Sequence, residues 1–177
     1  MTRATIPVVE TERLILREWR PADVDEYARI CAIPEVMEFM WPARPATAAE
    51  SAYSAVQLQE HWLRWGFGHW AVEERETGRY VGRTGIKRHP DWELDDQNTE
   101  VGWLYDPAVW GKGYATEGAE AAVRFCLEEV GRPEVISIAH PDNHASQRVM
   151  QKAGLSYAGR RTWDARGIDV VWYSLRG

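Results

Sequence analysis

Two glycines separated by one residue stand directly before a predicted helix, in the segment Trp110-Gly111-Lys112-Gly113-Tyr114-Ala115-Thr116. Glycine accepts a positive φ and lets the backbone approach a ligand closely. The first amides of a helix lack internal partners and lie at the positive end of its dipole, so they bind anions. Lys112 adds a charge-assisted donor. The segment therefore predicts a phosphate site made mainly of backbone amides.

The spacing excludes two better-known phosphate motifs. A P-loop needs GxxxxGK followed by Ser or Thr, and this loop has no such run. A dinucleotide fingerprint needs GxGxxG, but Thr116 stands at its third glycine position and Gly118 comes two residues later. On glycine spacing alone, a tight strand-to-helix turn that binds nothing is the alternative.

The predicted elements place this loop between a strand and a helix. Apolar alternation and turn residues predict strands at 11–18, 69–74, 79–87, 99–105, 135–139, 156–163 and 169–175. Helices are predicted at 22–32, 47–64 and 143–152, and a loop feeding a helix at 111–130. Thr47 and Glu50 form a capping box, and the acidic segment 91–97 predicts a loop. Helices and strands alternate irregularly along the chain, with hairpins at two places. This order indicates an α/β fold of the α+β type, with a mixed sheet.

Length and composition limit the function classes. The 177 residues predict one domain over 1–177, and the net charge of −6 argues against a nucleic-acid partner. The sequence lacks a secretory signal and an apolar run long enough for a membrane, which predicts a cytoplasmic protein with Cys31 and Cys126 reduced. The five histidines show no metal-ligand spacing, so we expect no metal.

Several ordered motifs resemble the GCN5-related N-acetyltransferases. Segment 110–115 is similar to their pyrophosphate loop, Gln/Arg-x-x-Gly-x-Gly/Ala, with Trp110 at the first position. Asn143, Ser146 and the following KAGL resemble their NxxSxxVxxKxGF helix. The strings TERLILRE, TEVGW and WGKGYATEG resemble the branch of the ribosomal-protein N-terminal alanine acetyltransferases. The resemblance covers nearly the whole chain and implies a twisted, mostly antiparallel sheet of about seven strands with about four helices.

The resemblance implies that the strand at 99–105 carries the base. An amine acceptor is mostly protonated at neutral pH, so something must take its proton, and Glu100 is the expected residue. A carboxylate in an aromatic, partly desolvated cleft has a raised pKa, which we expect for Glu100. A solvated strand-edge Glu or a structural ion pair is the alternative. The backbone of Trp103, Leu104 and Tyr105 is expected to pair with the β-alanine amides of the cofactor.

The resemblance also implies roles in the helix at 143–152. Ser146 is expected to assist the departing thiolate, because Met150 stands where many family members carry a Tyr and cannot donate a proton. A first-turn Ser that caps the helix is the alternative. Asn143 is expected to contact the pantetheine arm, to cap the helix, or both. His140 and His144 lie near the expected cleft, but a lone His is more often structural.

These observations predict an acetyl-CoA-dependent N-acetyltransferase in which a primary amine attacks the thioester directly. The acceptor is a small molecule or a protein N-terminus, and the sequence does not name it. A CoA-binding or sensing module without turnover is the alternative, kept open by Trp110 and Met150 at two family positions. Phe39, Met40, Trp41, Trp62, Trp65 and Trp163 are expected to wall the acceptor cleft or to pack in the core. A homodimer is common among relatives, and the oligomeric state is open.

Overall fold

A mixed sheet of eight strands forms the centre of the computed structural model, which describes residues 5–92 and 99–177. The strands are β1 (Val9–Glu10), β2 (Leu14–Arg17), β3 (His69–Glu74), β4 (Tyr80–Arg88), β5 (Thr99–Tyr105), β6 (Glu134–Ala139), β7 (Ser156–Trp163) and β8 (Ile168–Arg176). Their order across the sheet is β1-β2-β3-β4-β5-β6-β8-β7. All neighbours are antiparallel except β5 and β6, which are parallel.

Five α-helices cover the two faces of this sheet. They are α1 (Pro21–Cys31), α2 (Pro34–Met37), α3 (Ala48–Trp65), α4 (Tyr114–Arg124) and α5 (His144–Lys152). A 3₁₀ turn at Pro107–Val109 precedes α4, and a π-helical turn at Phe125–Glu129 follows it. No helix of the described ranges is long and apolar enough to cross a membrane.

Each face of the sheet buries its own apolar cluster, because side chains alternate between the faces along every strand. Val101 and Tyr105 of β5 pack with Ala119 and Ala122 of α4 on one face. Leu104, between them in sequence, packs with residues of α1 and α3 on the other. The residues of β5 therefore point alternately toward α4 and toward α1 and α3, which determines where a side chain of this strand can act.

The expected architecture is confirmed, with small differences in the number of elements. The predicted strand at 11–18 is shortened to Leu14–Arg17. The residues Val9 and Glu10 before it pair back onto Leu16 and Ile15 as the short β1, which makes eight strands instead of about seven. The additional helix is the single turn α2, which begins at Pro34. The capping box of Thr47 and Glu50 is present at the start of α3. Most of the predicted loop at 91–97 lies outside the described residues.

Gly118 lets α4 lie directly against β5. A Cβ at this position would lie 2.3 Å from the Tyr105 hydroxyl oxygen and 3.1 Å from Cγ2 of Thr84. The Tyr105 hydroxyl is buried and has no hydrogen-bond partner in the described chain. The close approach of α4 and β5 thus depends on the absence of a side chain on Gly118.

We expect Gly118→Ala to lower the free energy of unfolding by about 1–3 kcal/mol, the usual cost of overpacking a core. Tyr105→Phe removes the atom nearest to the new methyl group and should recover part of this loss in the double variant. Thermal and urea denaturation of the four proteins of the cycle measures both effects. Stabilisation by Gly118→Ala, as expected from helix propensity alone, would contradict the proposed close packing.

Candidate active site

The parallel pair β5 and β6 is joined at one register position, Glu100 opposite Ile136. One residue further along, the Ser137 hydroxyl donates to the Val101 carbonyl at 2.9 Å. Beyond this bond the ladder stops, so an opening begins between the two strands. The 3₁₀ turn and the glycine loop follow β5, and α5 follows β6, so two helix N-termini stand beyond the two arms of the opening.

The backbone of Trp103 faces this opening. The Val101 carbonyl accepts from β6, and the Tyr105 carbonyl accepts from Trp110 Nε1 at 2.9 Å. The carbonyl of the intervening Gly102 points to the other side, since it accepts from Thr84 of β4. Backbone groups alternate along a strand, so the N–H and C=O of Trp103 point into the opening with those of Val101 and Tyr105. One backbone donor and one acceptor are thus available to an extended ligand.

The glycine loop has the geometry expected for an anion site. Gly111 and Gly113 adopt φ values of 77° and 83°, and nothing lies within 4 Å of a Cβ built on Gly111. The first backbone N–H of α4 that makes a helical hydrogen bond is that of Glu117, which donates to the Gly113 carbonyl. Among the described hydrogen bonds, none uses the amides of Gly111, Gly113, Tyr114, Ala115 or Thr116. These five donors are available for phosphate oxygens.

Arg13 and Glu117 orient the loop, and the sequence interpretation did not include either residue. Arg13 Nη1 donates to the Lys112 carbonyl at 2.7 Å, while its Nε binds Glu117 at 2.7 Å. The Lys112 carbonyl and the Gly113 N–H belong to the same peptide group, and in a trans peptide these two point in opposite directions. The Gly113 N–H therefore points away from Arg13. Burial raises the pKa of Glu117, but the hydrogen bonds from Thr11 and Arg13 lower it by more, so the net pKa is below its usual value. The signal in the sequence was Arg13 in TERLILRE and an acidic residue in the first turn of α4.

The other predicted cofactor residues are divided between this opening and the core. The Trp110 side chain is 52% exposed and Lys112 is exposed, so both are accessible to a ligand. The Tyr114 ring is buried, and its hydroxyl donates to Glu74 at 2.6 Å. The side chains of Leu104 and Tyr105 are buried on opposite faces of the sheet, so only their backbone can reach a ligand. The Trp103 side chain is half-buried against the α4 cluster.

At the other arm of the opening, Asn143 is the N-cap of α5. Its Oδ1 accepts from the Ser146 amide at 3.0 Å. The cap is therefore supplied by Asn143, while the half-buried Ser146 hydroxyl makes no hydrogen bond within the described chain. Met150, one turn later, is fully buried in the core. The structure thus brings Asn143 and Ser146 together and places Met150 away from the surface of the opening.

Glu100 stands at the closed end of the opening, on the face of the sheet turned away from α4. Its Oε2 is in direct contact with Nε2 of His89, which follows β4. Burial pushes the pKa of Glu100 up, but the attraction of His89, Lys87 and Arg166 outweighs it and lowers the pKa below its usual value. The expectation of a raised pKa is therefore wrong. Desolvation was expected to dominate, but tertiary contacts bring three basic side chains to this carboxylate.

His89 was not among the site residues predicted from the sequence. It lies in KRHP directly after a strand, and its position opposite Glu100 follows from the antiparallel register that pairs Lys87 with Glu100. Such a pairing can be derived from sequence only if the register of the hairpin is known. Lys87 is itself a neighbour in this cluster, and burial lowers its pKa.

A second histidine lies near Gly102, two residues after Glu100. His69 Nδ1 lies 2.9 Å from Arg83 Nη1, so it accepts a hydrogen bond from that guanidinium and Nε2 carries the ring proton. A Cβ on Gly102 would lie 3.8 Å from His69 Nε2. Burial, with the Arg83 charge, lowers the pKa of His69 well below its usual value. A neutral imidazole therefore covers Gly102 on the same face as Glu100.

Aromatic rings surround this face. Trp163 is buried with Trp92 at a ring distance of 5.2 Å, and the His89 ring lies 5.1 Å from Trp163. Phe39, from the segment after α2, stacks on His140 at 5.3 Å and so joins that segment to the end of β6. Of the predicted cleft aromatics, Trp62 packs in the core and Trp41 is 61% exposed. The described residues contain no group of three or more potential metal ligands.

The chain resembles known acetyltransferases in sequence and in structure. The family model "Acetyltransferase (GNAT) domain" matches residues 13–156. The FsC-acetyl coenzyme A-N(2)-transacetylase of Aspergillus fumigatus is 33% identical over 167 residues, which cover 89% of this chain and 68% of that protein. The uncharacterized N-acetyltransferase YoaA of Bacillus subtilis is 25% identical over 162 residues, covering 86% of this chain and 85% of that one.

Two solved structures are similar over nearly the whole chain. An acetyltransferase from Agrobacterium tumefaciens superposes with a TM-score of 0.81 at 27% identity, covering 98% of this chain and 96% of that one. RimL, a ribosomal L7/L12 alpha-N-protein acetyltransferase solved in complex with coenzyme A, superposes with a TM-score of 0.78 at 14% identity, covering 96% and 98%. The sequence match, the fold and the open strand pair beside a glycine loop agree, and the chain belongs to the GNAT family of acetyl-CoA-dependent N-acetyltransferases.

Proposed function

We propose that this protein transfers an acetyl group from acetyl-CoA to a primary amine, with the donor held in the opening between β5 and β6. One observation carries the proposal. The strands part after a single register position, and the opening is bordered by the free backbone of Trp103 and by the five unpaired amides of the glycine loop. This arrangement suits a long ligand with amides at one end and phosphates at the other.

The donor set fits the chemistry of coenzyme A. The loop amides and Lys112 would hold the pyrophosphate, the Trp103 backbone would pair with an amide of the pantetheine arm, and the Asn143 side-chain amide is available to the same arm. Bound acetyl-CoA supplies the acetyl group as an activated thioester. The reactive end would lie toward the closed end of the opening, where Glu100 stands.

The residues around the closed end would then divide the reaction between them. Glu100 removes a proton from the acceptor amine, whose nitrogen forms the new bond to the acetyl carbon as the carbon–sulfur bond breaks. The Ser146 hydroxyl makes no hydrogen bond in the described chain, so it is available to donate one to the departing thiolate. The face that carries Glu100 is the one turned toward α1 and α3, so the acceptor would enter from that side.

The acceptor would be a small amine or a protein N-terminus. An FsC transacetylase is similar to this chain in sequence, and a ribosomal-protein acetyltransferase is similar to it in fold. The direct test is thiol release from acetyl-CoA against a library of amino acids, polyamines, aminoglycosides and N-terminal peptides. Release with at least one amine, and mass-spectrometric detection of the acetylated product, supports the proposal. Tight CoA binding without release from any amine would favour a binding module instead.

Gly113→Val should weaken CoA binding by about tenfold or more, because a β-branched residue in the left-handed region carries strain of about 1–3 kcal/mol and would turn the loop amides away. Gly78→Val is the matched control. Gly78 has a φ of 70° in the β3–β4 turn, and a Cβ at this position would meet nothing within 4 Å. Calorimetric CoA titration of both variants checks the assignment. Equal loss of affinity in the two, or none in Gly113→Val, would place the phosphates elsewhere.

Ser146→Ala should raise the barrier by an amount on the order of 1–3 kcal/mol, the scale of a lost hydrogen bond to a charged group. Thermal stability should stay near the parental value, since Asn143 supplies the cap and Ala favours a helix. Asn143→Ala is the comparison, because it removes the cap and should lower the melting temperature. If Ser146→Ala keeps the parental kcat on a good acceptor, Ser146 does not assist the thiolate.

A further inference from the structure

One imidazole lies between two carboxylates beneath the proposed acetyl site. His89 Nε2 contacts Glu100 Oε2, and His89 Nδ1 lies 3.8 Å from Asp91 Oδ1. His89 and Asp91 follow β4, and Glu100 lies on β5, so the β4–β5 register brings the three side chains together. The family resemblance implied a carboxylate on β5, Glu100, but gave no role to His89 or Asp91.

The contacts hold this ring in one orientation. The His89 ring meets the Trp163 ring edge-on at 5.1 Å and 82°. Trp163 Nε1 donates to the Asp91 carbonyl at 3.1 Å, which fixes the backbone beside the second carboxylate. Arg166 lies over Trp163 at 4.1 Å and reaches Asp91 Oδ2 at 3.5 Å. The imidazole is therefore packed from the β7–β8 hairpin while both of its nitrogens face acids.

The charge of the imidazole determines how it interacts with the two carboxylates. A neutral imidazole carries one N–H, so with both carboxylates ionised only one of the two nitrogens can present a proton to its acid. The other contact then sets a lone pair against a carboxylate. One additional proton places a positively charged imidazolium between the two carboxylates, in contact with Glu100 and 3.8 Å from Asp91. A proton shared in the His89–Glu100 contact then belongs to the pair more than to one residue.

The exposures of the three side chains differ in a way that suits proton removal. The Glu100 side chain is 18% exposed, the His89 side chain 6% and the Asp91 side chain 35%. Glu100 is the member that a ligand in the opening would cover, and Asp91 is the member most open to solvent. When donor and acceptor fill the opening, His89 still connects Glu100 to the side of the protein where Asp91 meets water.

We propose that His89 and Glu100 act as one proton-accepting unit in acyl transfer, with Asp91 as the acid on the far side of the imidazole. The inference rests on the proposed function and adds a positioning residue to it. The acceptor nitrogen bonds to the acetyl carbon, the carbon–sulfur bond breaks with its electron pair on sulfur, and the proton of the amine passes to the Glu100–His89 unit. Water on the Asp91 side takes that proton before the next turnover.

The charged neighbours of the unit determine how its activity depends on pH. Lys87 of β4 and Arg166 of the β7–β8 turn are the described cations that lower the pKa of Glu100 besides His89, and Asp91 is the described anion. His61 and His69 also lie near His89, and the pKa of each is lowered, mainly by burial. The cations favour the proton-free unit and Asp91 favours the proton-loaded one. Activity should therefore rise with pH through the ionisation of the unit, and removal of either member should change that limb.

The first measurement uses five variants and an acceptor amine found by thiol release. His89→Gln and Glu100→Gln should each lower kcat by about 10²-fold or more, with the Kd for CoA near the parental value. Both should alter the acid limb of the kcat–pH profile, and the double variant should be no slower than the slower single variant, since the residues act together. Asp91→Asn should have a smaller effect. Glu128→Gln, at an exposed position on the π-helical turn after α4, is the control and should change nothing.

The outcomes separate this inference from the proposed function. A slow Glu100→Gln together with a His89→Gln that keeps the parental kcat and pH profile would overturn the role of His89 and leave the transferase function standing. Multiplying effects in the double variant would also overturn it. Absence of thiol release with every amine would instead remove the proposed function.

A second measurement needs no acceptor and no variant that must fold. NMR titration of the parental protein, with ¹⁵N-labelled histidine and ¹³C-labelled glutamate, follows the His89 ring and the Glu100 carboxyl carbon together. The proposal requires both signals to report the same titration steps, because a coupled pair shares its protons. Two independent titrations, each at its own midpoint, would show that the contact is a structural ion pair.

Discussion

The site depends on one break in backbone hydrogen bonding, the end of the β5–β6 ladder after Glu100 and Ile136. Exposed strand edges are usually paired or covered, since unpaired N–H and C=O groups attract other strands. Here the groups next to the break are satisfied individually, by the Ser137 hydroxyl on one side and by the Trp110 indole on the other. What stays open is the short stretch around Trp103. An extended ligand can bind there as a strand would, and everything else in the site is arranged along that stretch.

The two faces of β5 supply different kinds of interaction to the opening. On the α4 face, Gly118 brings the helix close to the strand, and Arg13, held by Glu117, binds the Lys112 carbonyl, so the Gly113 amide points away from Arg13. These are fixed dipoles that need no titration. On the other face lie the groups that can gain or lose a proton, Glu100 and its neighbours. The candidate phosphate donors and the candidate base thus lie on opposite faces of β5.

The electrostatics of the second face come from opposed effects on one carboxylate. Burial raises the pKa of Glu100, and the surrounding basic side chains lower it by more. An isolated base with a lowered pKa is a weak proton acceptor, since efficiency follows basicity. The proposed coupling to His89 would offset this weakness, because a proton taken up by the pair would place positive charge between two carboxylates. The neutral His69 beside Gly102, held by Arg83, contributes no charge of its own to this balance.

Local features of the sequence were sufficient for the glycine loop, the cap of α5 and most of the strands. Gly111 and Gly113 need positive φ, Asn143 caps through its own side chain, and apolar alternation marks a half-buried strand, so each of these is settled within a few residues. The sequence did not determine the short β1, the pKa of Glu100, or the roles of Arg13 and His89. These depend on the register between strands and on charges that lie 11 to more than 100 positions apart in the chain. Such pairings arise only when the sheet forms, because Coulomb and hydrogen-bond energies follow distance in space and not separation in sequence.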